Sequence, residues 1–311
     1  MKNIRTKISV VLVALAGLTL GSCSEDFLSV SSQTEPNSDN YYKTESQAER
    51  ALIGCYDGWR QISSNPGAYS FLMASSIMSD ECYGGAGVGD GYGAQMIDRF
   101  DKTAAPSEMN VFEQEWKVYY AGIFRCNKLI TADAEIEWEN EANHARIMAE
   151  CRALRAIMYF DMVRLWGNIP LFTEPSGENR QQADPKDVYA LIFDDLGFAI
   201  DNIGEDQNLG VDNFGKITRY AAEAIFARAY LFYSGYYGAD PVYSNGTAIS
   251  RQDALAAVED VIAKSKYQLV PEFKNLWPAA SLVPVEGALG WDQEKSTYAG
   301  DANSEVILAQ T

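Results

Sequence analysis

Apolar residues recur at spacings of three and four along most of this chain, and that spacing restricts it mainly to helices that bury one face. Thr44 and Gln47 match a capping box at a helix start, while Asp184 followed by Pro185 is typical of a second start. Thr218 and Ser250 are the predicted caps of two further helices. Residues 221–233 alternate alanine with aromatic side chains, which lets neighbouring helices approach closely. The pattern predicts a mostly α-helical fold of successive antiparallel hairpins, without a strict repeat period.

The same helical stripes predict which large side chains pack in the core and which carboxylates face solvent. Asp194 and Asp195 are adjacent on a predicted helix, and we expect them to form a solvated face rather than a catalytic pair. Four tryptophans are expected to pack in the core: Trp59, Trp116, Trp166 and Trp277.

Two segments rich in glycine or proline interrupt the helical pattern. Residues 84–93 contain six glycines, which predicts a mobile or tightly turned loop over 82–93. After Tyr267 the periodicity fades, and prolines and glycines predict irregular structure as far as residue 300. Residues 305–310 then form an apolar run that predicts a β-strand. Since a strand at the end of a chain has no visible partner, we expect the natural protein to continue beyond it.

The N-terminal segment has the pattern of a cleaved export signal. Residues 1–7 hold three basic side chains, and residues 8–20 form an apolar run of thirteen, too short for a bilayer core that needs about 20 residues. The run ends in LGSC at Cys23, which resembles the lipobox of bacterial lipoproteins. We predict a lipoprotein signal peptide over 1–22, and a lipidated N-terminus and tether over 23–43. The alternative is an ordinary cleavage site followed by a chance cysteine.

Charge and residue usage exclude several classes of function. The formal net charge of −18 excludes nucleic acid and anionic lipid surfaces as partners, because such binding needs clustered Lys and Arg. His144 is the only histidine, which rules out His-based triads and most zinc sites. Carboxylates are abundant, so a pair of them acting as a glycosidase stays open as an alternative.

The cysteines give no metal or redox motif, because no CxxC pair occurs. An exported chain could form disulfides, and the four cysteines after Cys23 allow three pairings. The helical stripes instead favour Cys55, Cys126 and Cys151 as small apolar residues on buried helix faces. Cys82 lies in the Gly-rich segment.

Three segments resemble the SusD/RagB family of outer-membrane nutrient-binding lipoproteins. Residues 150–171 (ECRALRAIMYFDMVRLWGNIPL) resemble the family's central motif, a helix rich in Arg, Ala and aromatics that ends in an aromatic-Gly-x-aliphatic-Pro turn. Residues 215–233 are similar to the family's next helix, and residues 303–307 (NSEVI) to the strand that follows it. The lipobox fits as well, and the acidic pair at 25–26 resembles a surface-export signal of Bacteroidetes lipoproteins.

The resemblance implies a fold of tetratricopeptide-like helix pairs over residues 44–311, with irregular ligand-facing loops, few short strands, and a C-terminal part beyond this chain. It also implies a function without catalysis, cofactor or metal. A lipid-anchored protein of the outer membrane would bind oligo- or polysaccharide at the cell surface and deliver it to a TonB-dependent SusC-like transporter. Uptake of peptide or another nutrient is the first alternative. A surface glycoside hydrolase and a scaffold that binds only protein are the others.

Sugar binding needs flat aromatic faces for stacking and polar side chains for the hydroxyl groups. The Gly-rich loop and the irregular segment near residue 300 offer such groups outside the helical stripes. The candidate ligand-binding residues are Asp80, Glu81, Tyr83, Tyr92, Trp291 and Tyr298.

Overall fold

A computed structural model describes residues 41–63, 69–85, 87, 89, 92–101, 110–205, 214–284, 291–292 and 296–310. The predicted signal peptide over 1–22, Cys23 and most of the tether lie outside the described residues. Those three predictions therefore stay predictions.

The described residues fold mainly as helices, as the periodicity predicts. Short 3-10 segments and one antiparallel pair of two-residue strands complete it, with Val283 opposite Asp292 and Pro284 opposite Trp291. The α-helices are α1 (Glu45–Ser63), α2 (Phe71–Met78), α3 (Tyr92–Asp98), α4 (Glu113–Ala132), α5 (Glu141–Trp166), α6 (Pro185–Asn202), α7 (Arg219–Tyr237) and α8 (Arg251–Lys264); the strands are β1 (Val283–Pro284) and β2 (Trp291–Asp292).

Side-chain caps fix the helix starts that the sequence predicts. The Gln47 amide nitrogen of the backbone donates to Thr44 Oγ1 at 3.4 Å, and the Thr44 backbone N–H donates to Gln47 Oε1 at 3.2 Å. The Asp184, Thr218 and Ser250 side chains each accept a backbone N–H in the first turn of α6, α7 and α8. These bonds satisfy donors that a helix start otherwise leaves unpaired.

The long helices pack in pairs. The pairs α5–α6 and α7–α8 are neighbours in the chain, whereas α1 pairs with α4, and α2 and α3 pack on each other. The α1–α4 contact depends on two glycines, because a Cβ atom on Gly58 would lie 2.9 Å from the Gly122 Cα atom. The prediction of a mostly helical fold of helix pairs is confirmed. The pair α1–α4 differs from the predicted hairpins of successive helices, because α2, α3 and the Gly-rich segment lie between α1 and α4 in the chain.

The core contains several large aromatic side chains that are fully buried between the helix pairs, including Tyr119, Tyr159 and Phe193. Trp116 and Trp166 meet edge to face with ring centroids 5.1 Å apart, and Trp59 packs half-buried against the same core, as predicted. The prediction for Trp277 is wrong, since 56% of this residue is exposed. It follows a 3-10 turn outside the helical stripes, where periodicity gives no information about burial.

The prediction of a solvated carboxylate face on α6 is wrong for Asp195, which is fully buried. The Arg155 guanidinium of α5 donates two hydrogen bonds of 2.8 Å to the Asp195 carboxylate. A third Arg155 N–H donates to the Asn127 side-chain oxygen at 2.7 Å. Burial of this carboxylate is tolerated because a cation with matching geometry is buried beside it.

The predicted strand over 305–310 is also wrong. Glu305 lies in a turn, Ile307 in a bend, and the other residues of this run have irregular backbone. Isolated hydrogen bonds, instead of a ladder, join this run and the residue before it to the preceding segment. The Gln268 backbone N–H donates to the Ser304 carbonyl at 2.9 Å, and the Tyr267 hydroxyl donates to the Ile307 carbonyl at 3.1 Å. The apolar run nevertheless contributes to packing, because Ile307 and Leu308 lie partly buried against the core.

Candidate functional site

The Gly-rich segment folds back on α3. Gly84 is buried, and a Cβ atom there would collide with the Ala94 carbonyl oxygen and lie 2.6 Å from the Asp98 Cβ atom. The predicted loop over 82–93 is confirmed for 82–85, which contain bends and no helix or strand. It is wrong from Tyr92 onward, where α3 begins, because burial of Ala94 and Ile97 against α2 stabilises a helix that the glycine content alone disfavours.

The helices α2 and α3 and the segment between them form a small unit, called the tyrosine-bearing unit. Four of the candidate residues lie on its surface. Asp80 adopts a left-handed backbone conformation with φ of 61°, and it turns the chain out of α2. Asp80 and Glu81 are exposed. Tyr83 is 90% exposed and Tyr92 is 47% exposed at the start of α3. Two exposed phenol rings and two exposed carboxylates thus lie on one small unit.

A stacked arginine attaches this unit to the main core. The Arg164 guanidinium of α5 lies 4.2 Å from the centre of the Phe71 ring on α2 and 4.0 Å from the centre of the Phe160 ring. The Asp161 carboxylate accepts a hydrogen bond from the same guanidinium. Such cation–π contacts are strong when the cation is removed from water. Arg164 therefore positions α2 and, through α2, the loop that carries Tyr83.

A buried carboxyl group lies near this attachment. Glu115 is buried at the start of α4, and its Oε1 atom has no hydrogen-bond partner among the described residues. Burial, together with the nearby Asp161 carboxylate, raises the pKa of Glu115 to about 7. Burial also raises the pKa of Asp161, which accepts a hydrogen bond from the Tyr119 hydroxyl at 3.1 Å. We therefore expect Glu115 to change its protonation near neutral pH.

The second candidate pair is in a different part of the chain. Trp291 belongs to the two-residue strand β2. The half-buried Tyr298 donates its hydroxyl to the Asp301 carboxylate, and this hydrogen bond raises the pKa of Tyr298. Among the described residues, no hydrogen bond or ring contact joins Tyr298 to Tyr83 or Tyr92. The binding roles of both candidate regions therefore stay predictions.

Three cysteines meet in the core where α1, α4 and α5 converge. Cys55, Cys126 and Cys151 are fully buried, and their sulfur atoms all lie within 4.8 Å of one another. Within the described part of the chain, these three thiols form a group of metal-ligating side chains close enough together to hold one metal ion. Burial raises the pKa of Cys126 and Cys151 well above the ordinary value, so both thiols stay protonated. The prediction of small apolar residues on buried faces is confirmed.

Among the described residues, the structure contains concave regions that the sequence predictions miss, and two of them include tryptophans. A cavity of about 500 Å³ lies between α1 and α5, lined partly by Tyr56, Trp59 and Arg146. A groove of about 410 Å³ runs along α4 and includes Trp116 and Phe124. Periodicity assigns Trp59 and Trp116 to core packing. It does not predict that part of a core ring stays exposed and lines a cavity or groove.

Within the described residues, no helix combines the length and the apolar character needed to cross a membrane.

Comparison with known proteins identifies the family. A family model described as "Starch-binding associating with outer membrane" matches residues 26–233, which is more than half of the chain. The chain belongs to the SusD-like family. This membership confirms the resemblance seen in the central helix motif and explains the helix pairs, which SusD-like structures share.

The SusD-like chain is similar to several characterised or solved proteins. A "SusD-like protein" of Bacteroides ovatus is 24% identical over 279 residues, covering 87% of this chain and 47% of the relative. A solved "Laminarin binding SusD-like protein" is 29% identical with a TM-score of 0.61, covering 76% of this chain and 48% of that one. "Surface glycan-binding protein A from Bacteroides uniformis" is 25% identical with a TM-score of 0.62, covering 75% and 49%. This SusD-like chain thus spans about half the length of these relatives.

Proposed function

We propose that this SusD-like protein binds glycan at the outer surface of the cell without catalysis and delivers it to a TonB-dependent SusC-like transporter. Membership of the SusD-like family carries the proposal. It is supported by relatives named for laminarin binding and surface glycan binding. A lipid on Cys23 would hold the protein at the outer membrane.

The tyrosine-bearing unit of α2, α3 and the turn between them is the proposed contact surface. Tyr83 and Tyr92 offer exposed rings to the C–H faces of a sugar, while Asp80 and Glu81 offer acceptors to its hydroxyl groups. Trp291 and Tyr298 remain proposed contacts of a separate region.

Attachment of this unit favours binding. The Phe71–Arg164–Phe160 stack holds α2 on the core, so the rings do not have to be ordered from a free loop when ligand arrives. Ordering each flexible side chain at an interface costs about 0.5–1.5 kcal/mol. Restricting the loop in advance lowers that cost.

Glu115 and Asp161 both have raised pKa values, but they do not support the hydrolase alternative. Glu115 and Asp161 have the shifted protonation that a catalytic acid needs. However, Glu115 is buried, and Asp161 is bonded to Arg164 and Tyr119. Glu115 therefore offers no accessible carboxyl group to a pyranose ring, and the Asp161 carboxylate is already engaged by two side chains.

Isothermal titration tests the proposal. The purified chain is titrated with laminarihexaose, cellohexaose and maltohexaose, and we expect saturable binding of at least one. Tyr83→Ala and Tyr92→Ala should each weaken it roughly 3- to 10-fold, since a ring contact contributes about 0.5–1.5 kcal/mol. Phe273→Ala is the matched control, because it removes an exposed aromatic ring outside this unit.

Each other outcome of the titration has a defined meaning. Unchanged affinity in both tyrosine variants contradicts the contact surface. Heat from a peptide library together with silence for all sugars, including a wider polysaccharide panel, favours the peptide alternative. Release of reducing sugar contradicts the absence of catalysis.

A further inference from the structure

The groove along α4 is a built concavity distinct from the tyrosine-bearing unit. Trp116, Tyr120 and Phe124 are spaced four residues apart on α4 and line one wall. The segment from Pro170 to Arg180 lines the other wall. Its volume of about 410 Å³ lies in the range of small-ligand sites.

Four aromatic side chains line the groove: Trp116, Tyr120, Phe124 and Phe172. Trp116 and Tyr120 have ring centroids 5.0 Å apart, and Tyr120 meets Phe172 edge to face at 5.6 Å. Phe124 is 42% exposed. An exposed aromatic ring beside two half-buried ones presents a stepped apolar face that a sugar ring can stack on.

Hydrogen bonds hold the second wall rigidly. The Tyr120 hydroxyl donates to the Pro170 carbonyl at 2.7 Å. The Tyr159 hydroxyl donates to the Phe172 carbonyl at 2.9 Å and accepts the Phe172 backbone N–H at 2.8 Å. The buried Asn127 amide also donates to the Phe172 carbonyl, at 2.9 Å. The part of this wall at Pro170 and Phe172 is therefore fixed before any ligand arrives.

The rim of the groove is polar but electrically balanced. Its ionised lining residues are two bases and two acids, Lys117, Arg180, Glu174 and Glu178. Arg180 donates to the Glu174 carboxylate at 2.9 Å and lies 5.1 Å from the centre of the Phe172 ring. In a chain with a formal charge of −18, this balance removes the preference for cations that the surface otherwise has. Donors and acceptors without net charge suit a hydroxylated, uncharged ligand.

We infer that the α4 groove is a second saccharide-binding site, which takes a neutral oligosaccharide independently of Tyr83 and Tyr92. The inference rests on the proposed function, and it deepens that function by giving one protein two contact regions for a long glycan. Two weak sites on one chain hold a polymer more tightly than either does alone, since the second contact is intramolecular.

Fluorine NMR locates binding at the groove. The chain is labelled with 5-fluorotryptophan, and the Trp116 signal is assigned with Trp116→Phe. The three neutral hexaoses named above are the probes, and calorimetry is run on the same samples. We expect the Trp116 signal to shift saturably with at least one hexaose and to keep shifting in Tyr83→Ala. Phe124→Ala should raise the Kd fitted to that shift roughly 3- to 10-fold, whereas Phe273→Ala should leave the Kd unchanged.

The outcomes separate this inference from the proposed function. If calorimetry detects binding that Tyr83→Ala abolishes, and the Trp116 signal never moves, the groove assignment is overturned and the proposed function stands. A Trp116 shift that Phe124→Ala leaves unchanged also overturns the groove. If no hexaose binds by either method, the groove inference fails, and the proposed function fails as well when the wider polysaccharide panel is also silent.

Discussion

The buried Arg155–Asp195 pair gives the sharpest test of how this fold is held together. Asp195→Ala removes the partner of a guanidinium that is itself almost fully buried. The substitution leaves two hydrogen bonds of 2.8 Å unmade and a cation in the core without its counter-ion. Breaking one side of a buried pair costs about 3–5 kcal/mol of unfolding free energy. For a domain of this size we expect the melting temperature to fall by about 6–20 °C.

A second variant separates the value of the pair from the penalty of an orphaned charge. Arg155→Met combined with Asp195→Leu removes both charges, so the large penalty disappears. The Asn127 oxygen then loses the N–H that it accepts at 2.7 Å, and this costs about 1–3 kcal/mol. We expect the double variant to be clearly more stable than Asp195→Ala, and within about 3 kcal/mol of the unaltered protein.

Urea unfolding followed by circular dichroism measures these differences, provided that the slope with denaturant is unchanged. Asp194→Ala is the matched control, because Asp194 is the neighbouring carboxylate, is only half-buried and accepts one backbone N–H at 3.2 Å. Its loss should cost about 1 kcal/mol or less. If Asp195→Ala and Asp194→Ala prove equally mild, the argument that the pair is buried and coupled is refuted.

Three further predictions concern a titrating group, a helix contact and the anchor. The pKa of Glu115 is raised from 4.5 to about 7 by folding, so unfolding free energy should fall as pH rises from about 4.5 to about 7. Glu115→Gln should flatten that part of the profile in urea titrations, and an identical slope in the variant contradicts it. Gly58→Ala should destabilise by about 1–3 kcal/mol because its Cβ meets Gly122 at 2.9 Å, whereas Gly54→Ala, which meets nothing within 4 Å, should be neutral or stabilising; equal melting temperatures refute the close contact. Cys23→Ala should abolish fatty-acid labelling and membrane retention, and retention in the variant contradicts lipidation.

The elements that the sequence predicts well are those specified by neighbouring residues. Helix starts at Thr44, Asp184, Thr218 and Ser250 depend on side chains within three positions of the bonds that they make. Buried stripes follow from the same short-range spacing. The family motif over 150–171 adds the function class, which no local pattern contains.

The predictions that fail depend on partners distant in the chain. Asp195 is buried because Arg155 lies forty positions earlier on the facing helix, and adjacent carboxylates in a sequence do not show which of them has such a partner. The start of α3 inside a Gly-rich segment depends on packing against α2. The α4 groove depends on a second wall whose backbone is held by Tyr159 and Asn127, and neither residue is an evident ligand contact.

The residues that stabilise the fold and the residues proposed to bind glycan lie in different parts of the structure. Buried charge and close helix contacts lie in α1 and α4–α7, where Arg155, Asp195, Glu223 and Gly58 are located. The exposed rings of Tyr83 and Phe124 lie at the margins of that core, so their removal leaves the buried contacts intact. Arg164 is the exception, because it is stacked on Phe160 in the core and on Phe71 in the tyrosine-bearing unit. A substitution that removes this guanidinium should therefore change both stability and glycan affinity, whereas one that removes an exposed ring should change affinity alone.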